Sequence, residues 1–184
     1  MAQHISQIIP PDSDYFATFF RFKGTGTYQA SSPVIQIPAS LVVTAAAYRE
    51  FMVKNRLDEV VEGLLEGVDV KDIEELYRPA TQIKDIIHAA PIPESIYAGI
   101  EEGCQGLGDG PTLVWPVTVP NELFHRSGEY RQRSYLMATD WKGVIEGIKI
   151  WWASLFEASA IFYRELNGQK HRNARIAVVA SKSG

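Results

Sequence analysis

Lys23 sits in the glycine-bearing turn Lys23-Gly24-Thr25-Gly26-Thr27, and Arg126, Arg131 and Arg133 crowd a polar stretch later in the chain. The chemistry open to such residues is phosphate binding. A lysine offers a point charge to phosphate oxygens, an arginine a planar fork of donors, and a neighbouring glycine lets backbone N–H groups come close. Lys23-Gly24-Thr25 matches only the end of a phosphate loop, because the upstream glycine spacing is absent.

The remaining reactive types carry less. Glu74-Glu75 and Glu101-Glu102 place carboxylates side by side in sequence. Adjacent residues on a helix point in different directions, so both pairs read as solvated faces rather than acid–base couples. His4, His88, His125 and His171 share no spacing and read as surface or loop residues. Cys104 is the single cysteine, so an intrachain disulfide is excluded, and no Cys/His cluster has zinc spacing. No metal site is expected. Trp141, Trp151 and Trp152 lie close together. Since one helix cannot bury every side, one of Trp151 and Trp152 could stay partly exposed as a partner anchor, while core packing is the expected role of at least one of them.

Composition removes several classes of function. The 184 residues are 46% hydrophobic and 22% charged, which suits one compact domain and not a disordered chain. A net charge of -4 without a long basic run lacks the footprint of a nucleic-acid binder. No apolar run approaches the roughly 20 residues that span a bilayer, and the N-terminus has no signal-peptide pattern. A cytoplasmic location is the expectation.

The elements that must position these groups follow from periodicity. Residues 1–14, with Pro10-Pro11, read as an arm leading into a first strand at Tyr15, Phe16, Phe19, Phe20 and Phe22. Val34-Ile35-Gln36-Ile37-Pro38 predicts a short strand, Leu41-Val42-Val43 a second apolar run, and Thr44 the N-cap of a helix starting at Ala45. Apolar residues then recur at helical spacing: Leu57, Val60, Val61 and Leu64, next Ile73, Leu76 and Tyr77, next Ile83, Ile86 and Ile87. Gly67 should end one helix, Asp69 cap the next, and Pro79 kink or divide it. A helix over 96–105 follows Pro91-Ile92-Pro93. Beyond a glycine-rich connection, a strand is expected over 112–119, a surface loop over 120–131, and a second strand over 133–139 paired with the first. Asp140 should cap one long helix ending at Asn167-Gly168, with Val144, Ile145, Ile148, Trp152, Leu155 and Phe156 facing inward. A last strand spans 174–180.

Several segments resemble one enzyme family. Trp151-Trp152-Ala153-Ser154-Leu155-Phe156-Glu157-Ala158-Ser159-Ala160-Ile161-Phe162-Tyr163-Arg164 resembles the helix that phosphoenolpyruvate synthases write CWASLFTARAIxYR. Ile37-Pro38-Ala39-Ser40-Leu41-Val42-Val43-Thr44 with Ala47-Tyr48-Arg49-Glu50-Phe51 resembles their VPPGFVVT…AYREF, and residues 176–182 are similar to their VAVQKM strand. The resemblance spans about residues 15–182. It points to the N-terminal subdomain of the ATP-binding region of the phosphoenolpyruvate synthase and pyruvate phosphate dikinase family. What it implies is an α+β fold of ATP-grasp-like type: a small mixed or antiparallel sheet with packed helices, one subdomain over 15–184, and a helical insertion over about 45–105.

In that family the subdomain supplies the lysine of a GGKG loop and the arginine of a VRSSA strand, both of which meet nucleotide phosphates. The resemblance therefore puts Lys23 and Gly24 on the loop's last two residues, as ligands of an ATP phosphate. It puts Trp115, in Val114-Trp115-Pro116-Val117-Thr118, on the arginine. An indole has no cationic donors, and Pro116 removes a backbone donor from the strand. Tyr130, Arg131 and Arg133 replace the glycine, first glutamine and glutamate of AGQQE. Arg126, Arg131 and Arg133 are thus the residues that could return positive charge to the site from new positions. The family's adenine pocket, metal-binding carboxylates and phosphoryl-carrying histidine have no counterpart in this sequence. The resulting expectation is a non-catalytic, stand-alone homologue, without catalytic residues or cofactor, acting as an interaction, structural or regulatory subunit. A protein partner or second copy would cover the surface where the other subdomain normally packs. The alternative is the ATP-binding half of a split phosphotransferase completed by another chain, in which ATP and magnesium would engage Lys23, Gly24, Arg131 and Arg133.

Overall fold

The computed structural model describes residues 6–8, 34–37, 40–70, 72–118 and 134–182. The β-branched and apolar runs form strands β1 (Ser6–Ile8), β2 (Val34–Ile37), β3 (Ser40–Val43), β4 (Thr112–Thr118), β5 (Ser134–Ala138) and β6 (Ile176–Lys182). They assemble as one sheet in the order β1-β5-β4-β6-β3-β2, and every pairing is antiparallel. Hairpin neighbours pair locally, while β6 returns from the end of the chain to sit between β4 and β3. Within the segment read as an arm, Ser6–Ile8 lies against β5 as an edge strand. The aromatic run from Tyr15 to Phe22 and the loop over 120–131 lie outside the described residues.

Among the described residues six helices complete the α+β architecture: α1 (Ala45–Lys54), α2 (Leu57–Leu65), α3 (Ile73–Ala89), α4 (Glu94–Leu107), α5 (Trp141–Ser154) and α6 (Ala158–Leu166). The first four are the helical insertion. Local chemistry starts two helices where expected. Thr44 Oγ1 accepts from the Ala47 N–H at 3.3 Å, and Asp140 Oδ1 from the Gly143 N–H at 2.7 Å. Gly67 follows α2 with φ +76, as a helix stop should.

The core lies between the sheet and the helices. Trp152 of α5 is fully buried, its ring tilted on Phe51 at 4.6 Å between centroids and edge-on to Tyr48 at 5.9 Å. Such aromatic pairs add about 0.5–1.5 kcal/mol each beyond their area. α5 approaches β4 closely because Gly147 has no side chain. A Cβ there would come within 3.2 Å of Val114 Cγ1. Charged groups fasten the outer helices. Lys149 is buried along its stem and donates through Nζ to His88 O at 2.8 Å, placing a cation at the C-terminal end of α3. Lys84 of α3 meets both carboxylate oxygens of Glu157 at 2.9 Å, just before α6.

Four expectations are corrected. The N-cap of α3 is Asp72, whose Oδ1 accepts from the Glu74 N–H at 2.9 Å, and not Asp69. Pro79 does not divide α3, which runs through it. The hydrogen bond a proline forfeits would have ended on the carbonyl of Glu75, an exposed residue that water can serve, while the Pro79 ring itself is buried. The helix expected over 140–167 is two helices, α5 and α6, separated at Leu155–Glu157. Arg164 of α6 is buried and donates through Nη2 to Leu155 O, which satisfies a carbonyl that the break takes out of the helical ladder. Finally, Trp151 and Trp152 are both buried, at 7% and 0% exposure, because α5 is enclosed by the sheet, α3 and α4, with Tyr48 and Phe51 of α1 against Trp152. Neither is a surface anchor.

Candidate functional site

Val114 packs on Gly147 of α5, so the even-numbered residues of β4 face the helices. Strand alternation then turns Leu113 and Trp115 to the opposite face of the sheet. The register sets Trp115 beside Val179, and Val179 beside Val42. It sets Leu113 between Met137 and Ser181. Among the described residues of this face there is no charged side chain. Val179 and Ser181 are fully buried, whereas Trp115 is half-buried. Its backbone is held from behind, because Trp151 Nε1 donates to Val114 O at 3.1 Å. The cation at the end of β6, Lys182, turns away from this row. It donates through Nζ to Gly110 O at 2.7 Å and lies 3.3 Å from Thr112 Oγ1.

Lys23, Gly24, Arg126, Arg131 and Arg133 lie outside the described residues. The site is therefore known from its strand floor. Among the described residues no group of three or more His, Cys, Asp or Glu is placed to hold a metal. Glu74 and Glu75 are exposed, as solvated helix faces should be. Burial pushes the Cys104 thiol up to about 11, which leaves it protonated and unreactive at neutral pH.

The floor of β4 and β6 and the helices behind it match a known domain. The family described as pyruvate phosphate dikinase, AMP/ATP-binding domain, matches residues 23–182. The chain belongs to this family. A probable phosphoenolpyruvate synthase of Methanothermobacter thermautotrophicus is 37% identical over 87% of this chain and 24% of that protein. Another from Methanocaldococcus jannaschii is 29% identical over 87% of this chain and 14% of that protein. A rifampicin phosphotransferase of Bacillus cereus is 27% identical over 80% of this chain and 17% of that protein. The chain thus spans about a quarter or less of the length of these relatives.

As a pyruvate phosphate dikinase AMP/ATP-binding domain, the chain presents Trp115 from β4, within the matched range. Two charged groups were missed by sequence reasoning. Arg164, the arginine that closes the Tyr163-Arg164 end of the family helix, bonds Leu155 O and also donates through Nε to His171 Nδ1 at 3.1 Å. His171 is therefore no loose loop residue. It sits in the short 3-10 turn His171–Asn173, and its buried Nε2 lies 2.7 Å from Glu165 Oε1. Burial and Arg164 hold the His171 imidazole below its ordinary pKa, against the opposing pull of Glu165 and Glu62. The other miss is Arg49 of the Ala47–Phe51 motif, which grips both carboxylate oxygens of Asp58. Long-range charge partners leave no local pattern, so neither pair had a sequence signal beyond the motif itself.

Proposed function

We propose that this chain is a non-catalytic member of its family that serves as an interaction, structural or regulatory subunit. The observation that carries this reading is Trp115. It occupies the arginine position of the family strand, on the sheet face turned away from the helices, among described neighbours that are uncharged. Phosphoryl transfer relies on positioned cations that neutralise developing charge, and an indole supplies none. The reading also expects a protein partner or a second copy, on a surface other than this row, since Val179 and Ser181 are already covered within the chain.

A second reading is the ATP-binding half of a split phosphotransferase, supported by the family match, which begins at Lys23. Under it ATP and magnesium would bind through Lys23, Gly24, Arg131 and Arg133 with a partner chain completing the cleft. Calorimetry with magnesium-ATP separates the two. The non-catalytic reading expects no heat of binding attributable to the Lys23 site. Micromolar affinity that disappears in Lys23→Ala would establish the second reading in its place.

A further inference from the structure

Among the described residues the large apolar side chains left in solvent are Val53, Val60, Ile73, Tyr77 and Leu166, all on α1, α2, α3 and α6. Three of the five belong to α2 and α3, which pack against each other. On α2, Val60 and the half-buried Leu64 stand one turn apart, and on α3 Ile73 and Tyr77 do the same, with Tyr77 at 61% exposure. Gly63 lies beside Val60 and Leu64 on α2, and a Cβ added there would meet nothing within 4 Å. A mid-helix glycine costs stability relative to alanine, and among the described residues no neighbour crowds this one. Its bare backbone instead opens the flank of α2 to an approaching surface.

Carboxylates accompany this apolar surface. From Arg56 to Arg78 the sequence carries eight acidic residues against three basic ones, a more negative balance than the net -4 of all 184 residues. Asp58 is taken up by Arg49 and Glu59 by Arg56, Asp72 caps α3, and Glu75 Oε2 accepts from the Asp69 N–H at 3.3 Å. Glu62, Glu66 and Glu74 are exposed on the same helix pair.

We propose that α2 and α3 dock a basic amphipathic helix of a partner protein, whose apolar face lies along Val60, Leu64, Ile73 and Tyr77 while its Lys and Arg side chains meet the carboxylates. This gives the interaction subunit proposed above a partner of definite chemistry, and it rests on that reading. The sign of the surface decides the occupant. A second copy meeting it through a two-fold contact would set like charge on like charge, and anionic lipid or nucleic acid would be repelled. A helix laid in a groove is held by anchors at i, i+3, i+4 and i+7, which apolar rows one turn apart can receive. Tyr77 supplies the amphipathic ring favoured at the centre of such contacts.

Fluorescence anisotropy of the chain with a labelled helical peptide, leucines at i, i+3, i+4 and i+7 and lysines elsewhere, tests the surface. Saturable binding is expected, weakened about tenfold or more in Ile73→Ser/Tyr77→Ser and in Glu66→Lys/Glu74→Lys. It should be unchanged in Glu102→Lys/Asp109→Lys, which reverses equal charge at other exposed positions. If Ile73→Ser/Tyr77→Ser does not fold, Gly63→Gln, which favours the helix and crowds its flank, carries the same comparison. Absence of saturable binding, equal weakening in the control variant, or equal affinity for a peptide with glutamates in place of the lysines overturns the proposal. So does a dimer in sedimentation that Ile73→Ser/Tyr77→Ser dissolves. Magnesium-ATP binding that depends on Lys23 speaks against the proposed function, whereas failure of the peptide removes this surface and leaves the non-catalytic reading standing.

Discussion

Arg164 Nε donates to His171 Nδ1 at 3.1 Å, and that one hydrogen bond fixes the chemistry of the imidazole. An N–H can donate only to a bare ring nitrogen, so His171 is neutral with its proton on Nε2, toward Glu165. Protonation would set two donors against each other.

The consequence is a pH dependence of stability. His171 has a folded pKa below its ordinary 6.5, from burial and Arg164, and His88 is lowered as well, by burial. The unfolded chain therefore binds more protons than the folded one as the pH falls through 6.5. This contribution is complete above that value and is lost as the pH drops toward the folded pKa. Urea unfolding between pH 5 and 8 should show stability falling on the acid side, with a shallower fall in His171→Gln. Equal slopes in the two proteins would show that His171 is not held neutral.

Arg164 should be hard to replace. Arg164→Ala leaves Leu155 O without its donor at the break between α5 and α6, and the expected cost is about 2–3 kcal/mol. Arg164→Lys should recover little of it, since an ammonium cannot reach Leu155 O and His171 together through a fork. Chemical denaturation of both variants checks this, and a lysine variant as stable as the parent would refute it.

Trp152 centres the aromatic packing with Tyr48 and Phe51. Trp152→Ala should cost about 3–5 kcal/mol. Trp152→Phe should cost clearly less, because the Nε1 of Trp152 is buried without a hydrogen-bond partner and its removal recovers a desolvation penalty. Denaturant midpoints of the two variants give the comparison directly. A phenylalanine variant as unstable as the alanine one would contradict it.

Two glycine-to-alanine changes should act in opposite directions. Gly147→Ala forces a methyl against Val114 and is expected to destabilise by about 1–3 kcal/mol. Gly63→Ala on exposed α2 meets nothing within 4 Å and should stabilise by about 0.5–1 kcal/mol. Thermal unfolding of the pair measures both signs. A stable Gly147→Ala would show that α5 does not sit this close to β4.

Local features were legible in the sequence. Thr44 and Asp140 cap their helices because a cap needs only a side-chain oxygen two or three residues from the N–H it serves. The β4–β5 hairpin, the helical insertion and the family were readable for the same reason, since periodicity and motif are properties of neighbouring residues. The division of the long helix was not. It depends on Arg164 reaching back to Leu155 O, and a run of helix-forming residues does not announce that contact.

For the candidate site, the sequence by itself determined that Trp115 and Pro116 bring no cation to their strand and that Lys23 lies in a glycine-bearing turn. Only the tertiary structure decided that Trp115 turns away from the helices beside Val179, that Trp151 and Trp152 are both enclosed, and that Arg49 and Arg175 share the carbonyl of Arg172. The physical reason is the range of the forces concerned. Backbone propensity and capping act within a turn of chain. Which faces meet, and which charges are brought together, is settled by packing between residues far apart in sequence.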